Sequence, residues 1–279
     1  MSSSIVTPPA SELNTVQTDP PHTDFDVLFP DPARVPPYIT AVEAASFERK
    51  PLGQVEVSII PMTAAHAEWW HGTMQPFIKS GFRTAKEKAS EHPGKKIRAD
   101  VHWNWNRWFW LLNLHNRGHL STRDAHPAFG LVMEVRTPSG ERVPIGMMTL
   151  VPRYLCNSDR FGSKTYTWFI SSAPEAFYRE CFQELKLDGV GKALFDAAII
   201  ASYRAGLDGS LLLHADPKGG RSLTKLYEDF GFQSIGLKVL PITLHRWFDR
   251  RGYMLLSAKG AAHIIRENDE YRRKGYVAD

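Results

Sequence analysis

The stretch Lys186-Leu187-Asp188-Gly189-Val190-Gly191-Lys192-Ala193-Leu194 decides how the rest of this chain is read. Two glycines one residue apart lead straight into a run of good helix formers. Beyond them Leu194, Ala197, Ala198 and Ala201 stand at the i, i+3, i+4, i+7 spacing of one apolar helix face. Gly206 supplies a stop. A glycine turn that opens a helix gathers unpaired backbone N–H groups at the positive end of the helix dipole, which suits a phosphate or pyrophosphate. Taken alone, the same pattern also describes a plain turn. A Walker A loop is not supported, because no Gly-Lys-Ser/Thr follows at the required spacing. The three-glycine dinucleotide fingerprint is absent as well.

About twenty residues after the loop comes a short apolar strand, Leu211-Leu212-Leu213-His214, followed by Asp216-Pro217. A helix then carries Leu226-Tyr227 and is stopped at Gly231-Phe232. This combination resembles the GNAT acyltransferase superfamily. Its members carry a Gln/Arg-x-x-Gly-x-Gly/Ala loop opening a helix, then a strand, then a helix ending in Tyr-x-x-x-Gly-Phe. Here the loop reads Lys186-x-x-Gly189-x-Gly191, and Tyr227 through Phe232 match the second pattern. The resemblance covers residues 53 to 258. Three positions depart from it. Lys186 replaces the forked donor of Gln or Arg, and Gly220 stands where Asn is frequent. Some eleven residues separate Pro174 from the loop that begins at Lys186, where the family has few.

Working outward, residues 54–60 alternate as a strand, and Thr63 offers an N-cap to a helix over 64–78. A second, aromatic-rich helix is expected over 99–115. Strands follow at 129–136 and 143–151, joined by the turn Thr137-Pro138-Ser139-Gly140, and again at 164–172. A short helical insertion is expected at 175–185. The last elements are a helix at 192–205, a strand at 210–214, a helix at 222–230, strands at 233–239 and 253–257, and a helix at 258–274. The predicted class is α/β (α+β), a mixed, mostly antiparallel GNAT-type sheet flanked by helices. Residues 1–50 read as a Pro/Ser-rich arm, largely disordered or loosely packed, with a short helix at 39–47, and 51–279 as the acyltransferase domain.

The resemblance implies an acyl-CoA-dependent N-acyltransferase. It would pass acetyl from acetyl-CoA, a cosubstrate, to a primary amine by direct attack, with no metal. It places the coenzyme on Lys186, Leu187, Asp188, Gly189, Val190, Gly191 and Lys192, with Ser171, Ser172 and Arg221 beside them. It makes Tyr227 the general acid that protonates the leaving thiolate. The amine also needs a base, and His214 and Glu134 are the two candidates. The other reading is a GNAT-like coenzyme-binding module without turnover, regulatory or exported as an effector.

The block His102-Trp103-Asn104-Trp105-Asn106-Arg107-Trp108-Phe109-Trp110 reads as core or as a wall of the acceptor pocket, with Trp103 and Trp110 on one helix face. His115 and His119 have the i, i+4 spacing of a metal pair, but no third ligand accompanies them. Cys156 and Cys181 form no CxxC pair, so a reducing, cytoplasmic setting is expected. The net charge of +4 with pI ≈ 9.0 fits an anionic ligand. The acceptor is a small-molecule, peptide or protein amine of unknown identity. Aminoacyl-tRNA is allowed but not favoured, and no membrane partner is expected.

Overall fold

The computed structural model describes residues 35–119, 127–155, 162–183, 185–235 and 252–272. Strand β1 (Ala41–Ser46) turns into β2 (Pro51–Pro61). Thr63 then caps α1 (Ala64–Trp69) in a capping box, its hydroxyl accepting from the His66 N–H while His66 accepts from the Thr63 N–H. A π turn at Trp70–Met74 carries the helix on into α2 (Gln75–Gly81). Two short strands, β3 (Phe82–Arg83) and β4 (Lys96–Ile97), pair in parallel. Helix α3 (Trp105–His119) precedes the antiparallel trio β5 (Phe129–Arg136), β6 (Arg142–Leu155) and β7 (Ser163–Ser172). Then come α4 (Glu175–Cys181), β8 (Leu185–Asp188), α5 (Val190–Arg204), β9 (Leu211–His214) and α6 (Gly220–Asp229). The described chain closes with β10 (Gln233–Ser234), β11 (Tyr253–Leu256) and α7 (Ala258–Glu267).

Among the described residues nine strands make one sheet in the order β10-β11-β9-β7-β6-β5-β2-β1-β8. Every pair in it is antiparallel except β7 with β9. The mixed, mostly antiparallel sheet expected from the sequence is thus present, and helices flank both of its faces. Gly146 on β6 meets α5: a Cβ there would lie 2.8 Å from Val190 Cγ1 and 3.0 Å from Leu194 Cδ1. Only glycine permits that approach. Thr149, of opposite parity on the same strand, pairs with Phe169, whose ring meets Trp103 and stacks on Trp108 at 4.4 Å. The α3 side is therefore the other face.

Two expectations need correcting. The helix anticipated at 39–47 is β1, and the domain expected to begin at residue 51 includes it. Ile39, Val42 and Ala44 are buried in the main core, so the alternation of small apolar residues served a strand half-covered on one face. The helix anticipated at 99–115 begins only at Trp105. Residues 99–102 form a 3₁₀ turn and Trp103 is extended, so Trp103 and Trp110 do not share a helix face. Trp103 and Trp105 are buried, whereas Trp110 is 59% exposed. The arm at 1–34, Cys156, the side chain of His119 and the parts of the late strand and closing helix at 236–239 and 273–274 lie outside the described residues.

Helix α5 is buried along most of its length, and this includes Asp196, which is fully buried. Its carboxylate receives Arg272 in a two-pronged pair, Nη2 to Oδ1 at 2.6 Å and Nη1 to Oδ2 at 2.9 Å. Asn268 donates to the same carboxylate at 3.3 Å, and Arg272 also donates to the Pro37 carbonyl at 2.9 Å. One buried pair so ties the central helix to both ends of the described chain. Removing one member strands a buried charge, which costs about 3–5 kcal/mol, whereas replacing both with apolar groups is close to neutral. Asp196→Ala should lower unfolding free energy by about that amount in urea titrations, and Asp196→Leu with Arg272→Met should recover most of it.

Candidate functional site

Strands β7 and β9 pair through Thr165–Leu211, Tyr166–Leu212 and Thr167–Leu213, and the ladder stops there. Strand β7 continues to Ser172 against β6 alone. The parting coincides with a bulge: Phe169 pairs with Thr149 and Thr167 with Leu150, which leaves Trp168 without a partner in the β6 ladder. A bulge bends a strand and raises its local twist, so β7 veers from its parallel neighbour. The wedge between them holds a cavity of about 400 Å³, a volume suited to a small ligand. Residues 167–172 of β7, Leu213 and His214 of β9, Gly191 and Phe195 of α5, and Tyr227 of α6 contribute to its walls.

The wedge has an electropositive end. Gly189 adopts φ +84°, a conformation that favours glycine, and precedes the 15 residues of α5 without a side-chain cap. A Cβ on Gly191 would meet no atom within 4 Å, so the backbone at the start of α5 opens on free space. Tyr227 is 8% exposed and packs edge-on to Phe195 at 6.0 Å while its residue lines the cavity. His214, at the last residue of β9, sets its ring against Tyr253 at 4.8 Å.

The candidate residues divide sharply. Gly191, Ser171, Ser172, Tyr227 and His214 come together around the cavity. Lys186, Leu187 and Asp188 do not line it. They belong to β8, which pairs with Ala45, Ala44 and Glu43 of β1 at the far edge of the sheet. Leu187 is buried there, and Lys186 forms an ion pair with Asp188 at 2.6 Å. The residues between Pro174 and the glycines carry the chain across to that edge, so the first half of the expected loop is a strand. Val190 packs on Gly146, and Lys192 is held by Glu267 of α7 at 2.8 Å. Arg221 is exposed beside Ser222, which does line the cavity. Glu134 faces His66 of α1 at 3.3 Å and lies outside the cavity walls.

Apart from Trp103, which the sequence already offered as a pocket wall, one part of the lining was not legible in the sequence. Residues 82–103, between α2 and α3, fold over the cavity and supply Ile97, Arg98, Ala99, Asp100 and Trp103. Arg98 pairs with Asp100 through Nε to Oδ1 at 2.6 Å and Nη2 to Oδ2 at 2.8 Å, and donates to the Ser172 carbonyl at 2.5 Å. The Ser171 hydroxyl donates to Asp100. The end of β7, deprived of β9, is thus satisfied by this roof. The only sequence signal was the Arg98-x-Asp100 pair before the aromatic block, which by itself is indistinguishable from an ordinary surface ion pair.

No family model matches the chain, and no curated protein does. Among solved structures it is similar in fold to a GCN5-related N-acetyltransferase from Kribbella flavida, at 15% identity and TM-score 0.36, over 71% of this chain and 95% of that one. A GNAT-family acetyltransferase from Streptococcus pneumoniae matches at 13% identity and TM-score 0.35, over 72% and 97%. A mutant of the toxin AtaT, bound to the C-terminus of the antitoxin AtaR and acetyl-CoA, matches at 12% identity and TM-score 0.34, over 75% and 97%. At these identities the likeness is one of fold.

The roof has its own anchor. The Thr84 N–H donates to Glu87 at 2.5 Å and His102 lies 3.0 Å from the same carboxylate, which together hold it down at about 2. A depressed carboxyl stabilises the fold fully above the ordinary carboxylate range and loses that effect as pH falls through its lowered value. Glu87→Gln removes the charge at all pH values. Amide exchange at pH 7 should then quicken across residues 84–102 while the global melting temperature stays within a few degrees, because the group is only partly buried and solvent screens it.

Proposed function

We propose that this chain is an acetyl-CoA-dependent N-acyltransferase that works in the wedge between β7 and β9. The carrying observation is that the only parallel pair in the described sheet parts after Thr167–Leu213 beside the uncapped start of α5. An unpaired strand edge suits an extended arm bearing amides, and a helix start suits its pyrophosphate. Gly191 leaves room for close approach, and the wedge is of the size a pantetheine arm and a small acyl group need. Coenzyme A supplies an acyl group already activated as a thioester. The chain's contribution is to orient it along β7, keep water out and handle two protons.

Tyr227 is the acid in this reading. Its hydroxyl hands a proton to the departing thiolate, which leaves more readily when neutralised. His214 is the base, taking a proton from the attacking amine directly or through a water. It is the candidate that lines the cavity, while Glu134 is occupied by His66 outside it. Trp103 and Phe169 give the acceptor side an apolar aromatic wall. A second reading, a coenzyme-binding module without turnover, draws support from the diversion of Lys186 to β8 and of Lys192 to Glu267. Both readings require binding and differ in thiol release.

Two substitutions test the proposal. Gly191→Asp places a carboxylate at the start of α5 with no steric clash, so calorimetry should show acetyl-CoA affinity lost while the melting temperature is kept. Unchanged affinity would remove the site from the wedge. Tyr227→Phe retains the ring and its contacts with Phe195 and Phe232. Thiol release from acetyl-CoA, followed with amines or with water as acceptor, should fall by about 10²-fold at nearly constant coenzyme affinity. Full activity in the Phe variant would transfer the proton donation to another group. Release from neither protein, with binding intact, would favour the module without turnover.

A further inference from the structure

Residues 79–98 carry seven Lys and Arg against two Glu, a net of +5 that exceeds the +4 of the whole chain. A charge run of this kind is ordinarily a solvated face, but here the structure gathers and fixes it. The parallel pairing of β3 with β4 sets Lys96 beside Phe82, and Lys95 Nζ bonds the Lys79 carbonyl at 2.9 Å. At the other end the Ala85 N–H bonds the Lys218 carbonyl at 2.7 Å, and Ala85 Cβ would lie 3.1 Å from a Cβ on Gly220. The backbone next to Lys86 is thereby held against Lys218 and against Gly220, the residue before Arg221. The two carboxylates within the run are already occupied, Glu87 by His102 and Glu91 by Lys88. Lys79, Lys86, Lys96, Lys218 and Arg221 pair with no carboxylate among the described residues. Carried on the segment 79–98 and on residues 218–221, which that segment touches at Ala85, they make up a basic ridge whose neighbours in sequence, Ile97 and Gly219, line the cavity.

We infer that this ridge is a docking surface for the phosphodiester backbone of a nucleic-acid strand. One terminal phosphate would need two or three of these cations, whereas five along a ridge match a series of phosphates. Holding the cations on an anchored segment reduces what ordering them costs on binding. Backbone contacts of this sort carry affinity without base specificity, so RNA and DNA strands of equal length should bind alike. The inference does not depend on acyl transfer.

The test uses the full chain and labelled poly-U and poly-dT of about 20 nucleotides, read by fluorescence anisotropy. The unaltered protein should bind both. The slope of log affinity against log salt should be about −3.5, for five phosphates at roughly −0.7 each. Lys86→Glu with Lys96→Glu should weaken binding at least tenfold and flatten the slope by about 1.4. A control, Arg136→Glu with Arg142→Glu on the β5–β6 hairpin, changes net charge equally and should bind like the unaltered protein. Acetyl-CoA affinity by calorimetry should be the same in all three. Three outcomes overturn the proposal: no binding by the unaltered protein at about 50 mM salt, equal loss in the control, or loss of acetyl-CoA affinity with strand binding unchanged. The last would assign the ridge to the coenzyme's own phosphates.

Discussion

A parallel ladder that stops after three residue pairs governs the architecture of this protein. Beyond Thr167–Leu213 the pairing of β7 with β9 ends, while β7 runs on to Ser172 against β6 and beside the cavity. Buried peptide groups cannot stay unpaired without cost, so something must meet that edge. At Ser172 the partner is Arg98, delivered by the segment over the cavity. Along the rest of the wedge β7 borders the cavity. The bulge at Trp168 drives the parting and is held open on one face by α5, which lies so close to β6 that Gly146 cannot be replaced.

The insertion after β7 shows how a sheet can lengthen without disturbing this wedge. Helix α4 packs Phe177 against Trp69 and Phe77, so the added residues bring their own hydrophobic contacts. Strand β8 then extends the sheet by pairing with β1 at the far edge. The chain returns to begin α5 at Gly189, and the electropositive start of that helix still opens on the cavity. The consequence is chemical. Lys186, three residues before Gly189, is held in a local pair with Asp188 and does not line the cavity.

Charge is distributed to match. Inside, Asp196 with Arg272 and Asp100 with Arg98 are paired and further hydrogen-bonded, as low-dielectric surroundings require. Outside, Lys79, Lys86, Lys96, Lys218 and Arg221 have no carboxylate partner among the described residues. The roof therefore meets β7 with the paired Arg98 and Asp100, while Lys79, Lys86 and Lys96 are exposed.

The sequence by itself determined most of the longer elements, since the capping Thr63, the 3.6-residue period after Gly191, the Thr137–Gly140 turn and the Gly231 stop are local signals. It also marked Gly191, Tyr227 and His214, which one cavity unites. It did not place β1, because a short run such as Ala41–Ser46 has no period long enough to separate strand from helix, and only its neighbours β2 and β8 decide. Nor could it show that Lys186–Asp188 pair with β1, that Glu134 answers to His66, or that Arg98 and Asp100 close β7 across more than seventy residues. Those outcomes are contacts between segments far apart in the chain. Local propensity carries no information about them, because their free energy arises only when the sheet brings the segments together.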